Sequence, residues 1–249
     1  MMLALNRKVK RLLINSLGQI MLIFLGVTVA FWFESWKTNQ DEREFEREIL
    51  TALRHDLEQT TFQWEKIKAA DDLRLRYLND LLKSTDMKLQ PDSLSEKINI
   101  IGNFNTYYPL FTSYETLKSK GFDLVTDQQL RTLISFLFSD TYLGWMQSVN
   151  SRELERQTEW ESFIRKWFRI RIDKPVEVKD VFMPGTSGKS YTLTRVSVEF
   201  VDFNAFVSSH EALNFLEQRR LSGYGNLFVL KVASDRTTSV ITALKAKGY

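Results

Sequence analysis

The stretch whose spacing comes closest to recognisable chemistry is Gly185-Thr186-Ser187-Gly188-Lys189-Ser190, because Gly-Lys-Ser closes the loop that cradles phosphates in many nucleotide-binding proteins. The first glycine of that loop belongs at position 183, which is Met183, and the loop must open a helix whose N-terminus faces the phosphates. Tyr191-Thr192-Leu193-Thr194 reads as strand instead, so a surface hairpin explains the string better than nucleotide binding does. His55 and His210 are the only histidines, which excludes a multi-histidine metal site. His210 lies between Ser209 and Glu211 where a helix begins, and Ser208 reads as that helix's cap rather than as a nucleophile. His55 sits beside Asp56 on a charged helix. Asp71 and Asp72 are adjacent and so point about 100° apart on a helix, which makes them a solvated face and not an acid/base pair. The absence of Cys rules out disulfides, thiolate catalysis, Cys-ligated zinc and a lipidated N-terminal Cys. No catalytic centre, metal site or cofactor site assembles from these residues, and the expectation is a non-enzymatic protein.

One local cluster has the composition of a binding surface. Trp160, Phe163, Ile164, Trp167 and Phe168 are interleaved with Arg165, Lys166, Arg169 and Arg171. Exposed, the set Arg165, Lys166, Trp167, Arg169 and Arg171 would suit a membrane surface or an anionic ligand. Core aromatics beside a basic helix end produce the same pattern, since cations are favoured near a helix C-terminus.

The elements that must position these residues begin with a membrane span. Residues 12–33 read LLINSLGQIMLIFLGVTVAFWF, 22 residues without a charge. As a helix they reach roughly 33 Å, enough for a hydrocarbon core of about 30 Å. A buried soluble helix is seldom apolar on every face for so long. A cleaved signal peptide is the stronger rival, with Thr28-Val29-Ala30 as a loose cleavage site, but the apolar run is longer than a signal peptide needs and helix-forming sequence follows it directly. Arg7, Lys8, Lys10 and Arg11 precede the span, whereas only Lys37 follows within residues 34–42, so the N-terminus is expected in the cytoplasm and the remainder in the periplasm, at the inner membrane. Phe31, Trp32, Phe33 and Trp36 fit the outer interface as aromatic anchors. Gly18, Gly26 and Ala30 share one face, and Gly26-x-x-x-Ala30 is a small-xxx-small step that would let two spans approach.

The same basic tail accounts for the net charge of +3: the chain has 34 Lys and Arg, and the 30 outside the tail face 31 Asp and Glu. Bulk attraction to nucleic acid is therefore not expected. With 43% apolar and 13% aromatic residues, the part after the span has ample material for a core. Phe45, Ile49, Leu53, Leu57, Trp64, Ile67, Leu75, Leu78 and Leu82 recur at helical spacing, predicting an amphipathic helix over roughly 40–86 that continues the span. Lys83-Ser84-Thr85-Asp86 and Pro91 end it. Capping boxes at Ser93/Glu96, Thr112/Glu115 and Thr126/Gln129 mark new starts, and Gly121 follows a helix ending in Lys118-Ser119-Lys120. A long helix is expected over about 140–168 and a last one from Ser208 towards Leu244. Between them, alternation at Phe168, Ile170 and Ile172 and at Val196, Val198 and Phe200 predicts a small β-rich or looped insertion around 168–203. The fold class is mainly α: tail 1–11, transmembrane helix 12–33, soluble helical bundle 34–249.

Gly18-Gln19-Ile20, the apolar run with Ala30, and Glu34-Ser35-Trp36-Lys37 together resemble the opening of an uncharacterised family of single-span membrane proteins common in Bacteroidota. Tyr114-Glu115-Thr116-Leu117-Lys118 with Gly121, then Leu124, Val125, Asp127 and Leu130, is similar to that family's Tyr-Glu-x-Leu-Lys-x-x-Gly segment. This chain departs from the pattern at Gln19, where an acid is usual, and at Glu34-Ser35, where asparagines are usual. The resemblance implies topology and helical architecture, and no activity. The expectation is thus a membrane-anchored interaction or scaffold module that binds a protein partner or a second copy of itself, with an extracytoplasmic sensory or ligand-binding module as the alternative.

Overall fold

The computed structural model describes residues 7–83, 91–179 and 190–249, and it is mainly α. Helix α1 (Arg7–Lys83) is unbroken over 77 residues, roughly 115 Å at 1.5 Å per residue. The predicted helix and the apolar run are one element. Every described side chain from Gln19 to Glu44 is exposed, and burial begins only at Phe45 and Glu46. A bare stalk of about ten residues, roughly 15 Å, therefore separates the apolar stretch from the packed domain.

α2 (Pro91–Gly102) starts with Pro, which suits the first helical position because its missing N–H would have had no partner there. Ser93, the cap that the sequence suggested, lies inside the first turn of this helix, and its side chain falls outside the described residues. α3 (Thr112–Lys120) is likewise not capped by Thr112: its Ser113 N–H donates to Asp56 of α1 at 3.0 Å, a cap supplied from 57 residues away. Gly121 ends α3 at φ +104°, a conformation open to glycine, with its N–H donating to the Leu117 carbonyl. A 3-10 turn (Phe122–Leu124) leads to α4 (Gln128–Phe136), whose cap is Asp127, accepting from Leu130 N–H at 2.8 Å. Thr126, the expected cap, instead gives both its N–H and its hydroxyl to Glu46.

α4 passes without a break into a π-helical segment (Leu137–Met146) and then α5 (Gln147–Trp167). The long helix thus begins a full twelve residues before the predicted 140, at Gln128. Strands β1 (Phe168–Lys179) and β2 (Ser190–Phe200) pair antiparallel, Phe168 opposite Phe200, in the place where alternation predicted a β insertion. α6 (Phe203–Ser208) is capped by Asp202 and α7 (His210–Ala246) by Ser209, one residue later than expected.

α7 lies antiparallel against α1: Lys245 meets Glu58, Gly223 meets Leu75, and Arg220 and Tyr224 meet Asn79. The apolar core is split in two. One cluster gathers Leu50, Leu53, Leu57 and Trp64 of α1 with Tyr114, Phe138 and Tyr142 and with Leu230 to Leu244 of α7. The other gathers Leu75, Leu78 and Leu81 with α2, with Trp160, Phe163 and Phe168, and with Leu216. Each large side chain fully withdrawn from water contributes about 1.5–3 kcal/mol, so both clusters are substantial.

Candidate functional site

Between the two apolar clusters lies a layer of buried charge. Asp71 is 0% exposed, Arg74 3%, Glu153 1% and Arg219 4%. The first two come from α1, the third from α5 and the fourth from α7. Asp71 accepts from Asn105 Nδ2 at 2.9 Å and from the Tyr107 hydroxyl, and pairs with Arg74 Nη2 at 3.1 Å. Arg74 Nη1 also donates to the Asn103 carbonyl at 3.2 Å. Glu153 accepts from Asn226 Nδ2 at 2.8 Å, Arg156 Nη1 at 2.9 Å and Arg219 Nη1 at 3.3 Å. The Arg219 guanidinium lies over the Phe104 ring, 4.6 Å from its centroid.

The electrostatics follow from that packing. Burial alone would push the Glu153 carboxyl up, but Arg219, Asn226, Arg74 and Arg156 outweigh it and hold the carboxyl below its ordinary range. Burial pushes the Arg219 guanidinium down to about 10, against the pull of Glu153. Burial, with Asp71 at its oxygen, raises the Tyr107 hydroxyl above the ordinary tyrosine value and keeps it protonated. Each carboxylate accepts from at least three donors, while Arg219 Nε and Nη2 are buried and meet no acceptor among the described residues. What the layer does chemically is fix which residue faces which across α1, α5 and α7, since a one-turn slip would strand charge in either apolar cluster.

The sequence reading missed this layer, and its placement of Asp71 and Asp72 on one solvated face is corrected: Asp72 is exposed and Asp71 is buried. A signal was present. Trp64 and Ile67 are followed on the same face by Asp71 and Arg74 before Leu75 and Leu78 resume, and on α7 Arg219 and Asn226 interrupt Leu216 and Leu230.

The basic aromatic segment divides along the two readings made of it. Trp160, Phe163, Ile164 and Phe168 are core, Phe163 stacking on Phe215 with centroids 4.3 Å apart. Arg165, Lys166, Arg169 and Arg171 are exposed, and each faces an acid: Glu161 at 4.0 Å, Glu211 at 2.6 Å, and Glu199 at 3.8 and 2.9 Å. Trp167 is half-buried against Phe206, with Lys166 over its ring. His55 and His210 are exposed. The glycine-rich string falls largely on residues 180–189, outside the described residues, and the Ser190 that closes it opens strand β2 rather than a helix.

On α1, Phe31, Trp32, Phe33 and Trp36 are exposed, Phe33 and Trp36 with ring centroids 5.9 Å apart. Ala30 is exposed and a Cβ on Gly26 would meet nothing within 4 Å; the surroundings of Gly18 lie outside the described residues.

These features define a class: a mainly α protein with a helix long and apolar enough to cross a membrane, continuous with a helix of its packed domain. The chain belongs to a family of unknown function, DUF6090, whose model matches residues 19–182, from the apolar stretch of α1 through β1. No curated protein and no solved structure matches the chain.

Proposed function

We propose that the chain is a non-enzymatic interaction module of the cell envelope, anchored in the inner membrane by residues 12–33 with its N-terminus in the cytoplasm and its bundle in the periplasm. The observation that carries this reading is α1 itself, one helix that supplies both the apolar stretch and a wall of the core, so the domain is held at a fixed distance from the bilayer. The aromatic anchors Phe31, Trp32, Phe33 and Trp36 then sit at the outer interface. The bundle binds another protein or a second copy of the chain. Gly26 and Ala30 offer the span's packing face, with Gly18 on the same face by spacing. Neither a cofactor nor nucleic acid enters this reading.

A sensory module is the second reading. It is favoured by the same continuity, because a ligand that shifted α1 against α7 in the domain would move the span as well. Purification in mild detergent separates the two: a stoichiometric protein partner, or a stable homo-oligomer by light scattering, supports the interaction module. A monomer that retains a small molecule supports the sensor.

A further inference from the structure

Strands β1 and β2 form a two-stranded ribbon whose register decides which way its backbone groups point. Val198 N–H donates to Ser95 Oγ at 2.7 Å and the Val198 carbonyl accepts from the same hydroxyl at 3.3 Å, so both groups turn away from β1 towards α2. Residues opposite each other in an antiparallel pair alternate between exchanging two hydrogen bonds and exchanging none. Ile170, opposite Val198, therefore belongs to a pair that exchanges none, and its N–H and C=O point to the outer edge of β1. The bond from Val201 N–H to the Trp167 carbonyl, 3.0 Å, three residues along the ribbon, has the parity this requires. Neither backbone group of Ile170 has a partner among the described residues, and the residue is 51% exposed. On its own face of the ribbon, Ile170 lines a groove of about 380 Å³ with Val198, Ile98 of α2, and Trp160 and Ile164 of α5. On the opposite face, Arg169 and Arg171 are 63% and 61% exposed and share a single carboxylate, Glu199, at 3.8 and 2.9 Å.

An edge strand with unpaired backbone groups is a template for another strand, and its side chains decide which one. A second copy of β1 laid antiparallel across Ile170 would set Arg169 opposite Arg171 of the copy, twice over, and like charges directly opposite are unfavourable. An extended segment with an apolar residue between two acids does the reverse. Centred on Ile170, it places a carboxylate opposite each arginine and its apolar side chain on the face where Ile170 lines the groove. We propose that the outer edge of β1 is a strand-accepting site for a partner protein, whose extended acid–apolar–acid segment adds to the ribbon. The apolar residue of that segment exchanges two main-chain hydrogen bonds with Ile170, and its acids pair with Arg169 and Arg171, whose two charges Glu199 alone does not balance. This site rests on the interaction-module reading and says where the partner docks; a partner that co-purifies through another surface would remove the site and leave that reading standing.

The test uses the full chain in detergent with 15N-labelled isoleucine, the Ile170 amide resonance being assigned by its loss in Ile170→Pro. That variant removes an outward N–H and none of the bonds between β1 and β2, and a melting midpoint near the parent's is its control for folding. The probe is a capped peptide, serine-threonine-glutamate-valine-glutamate-threonine-serine, titrated alongside one with lysine in place of both glutamates and one N-methylated at the valine. The proposal expects saturable binding of the first peptide with a downfield shift of the Ile170 amide. Affinity should fall about tenfold or more with either altered peptide, in Ile170→Pro, and in the surface variant Arg169→Gln with Arg171→Gln, which keeps the edge itself intact. No binding of the glutamate peptide would overturn the proposal, as would equal binding of the N-methylated peptide, which leaves charge attraction alone. An Ile170 amide already protected from exchange in the free monomer, or protected by dimerisation of the chain, would overturn it too.

Discussion

Replacing Glu153 with Ala removes the carboxylate at the centre of the charged layer and leaves Arg219, 4% exposed, with no acid in contact, while Arg74 keeps only Asp71. Breaking one side of a buried pair costs about 3–5 kcal/mol, because the surviving charge stays out of water uncompensated. For a domain of this size each kcal/mol lowers the midpoint by about 2–4 °C, so the variant should melt roughly 6–20 °C below the parent. The double change Glu153→Leu with Arg219→Met removes both charges for side chains of similar volume, and should recover most of that loss. The assay is thermal unfolding followed by circular dichroism in one detergent at fixed pH. Acid supplies an independent check. The Glu153 carboxyl is held below its unfolded value, so the stability it brings is fully present above about pH 5 and is lost as pH falls through its folded value. Glu153→Gln should therefore start less stable at neutral pH and lose less than the parent on acidification. A Glu153→Ala midpoint within about 2 °C of the parent, or a double variant no better than the single one, would refute the assignment of the layer as a buried, mutually compensating network.

Other substitutions test the packing and the surface. Gly223→Ala places a methyl 2.7 Å from Leu75 Cδ2 and should destabilise by about 1–3 kcal/mol, whereas Gly225→Ala, with open space at its Cβ, should stabilise α7 by up to ~1 kcal/mol; urea midpoints of the two compare them. Trp160→Ala should cost about 3–5 kcal/mol by the same measurement, since the side chain is core. The triple change of Arg165, Lys166 and Arg169 to Gln should leave the midpoint nearly unchanged, and recovery of any partner by that variant shows whether the exposed basic surface takes part in binding. Asp56→Ala removes the side chain that caps α3 from α1 and should cost about 1 kcal/mol, visible as faster amide exchange at Ser113.

How much of this was legible in the sequence differs by element. The unbroken α1 was legible, because apolar spacing continued from Phe45 to Leu82 with no breaker after the apolar run. The hairpin was legible at both ends through period-two alternation. The helix caps were not, because a Ser or Thr three residues before an acid is satisfied by several geometries. Thr126 was drawn off by Glu46 from another helix, and Ser113 found its acceptor in Asp56, contacts that exist only once α1 has folded against its neighbours. The charged layer was written as gaps in apolar ladders on α1, α5 and α7, each gap unremarkable alone. Only their meeting at one level of the bundle turns Asp71, Arg74, Glu153 and Arg219 from surface charges into a buried network, and that alignment depends on tertiary register.

The central claim is that α1 crosses the inner membrane and holds the bundle on its far side. Because the chain contains no Cys, a single cysteine added after Tyr249 gives an unambiguous label. Tyr249 packs beside the start of the buried part of α1, so the added residue reports the side on which the domain lies. In cells with only the outer barrier opened, a membrane-impermeant thiol reagent should modify this cysteine in a chain that resists alkaline carbonate extraction and retains its N-terminal residues. Modification only after the inner membrane is lysed would contradict the orientation, and a mature N-terminus near Phe31 would contradict the anchor.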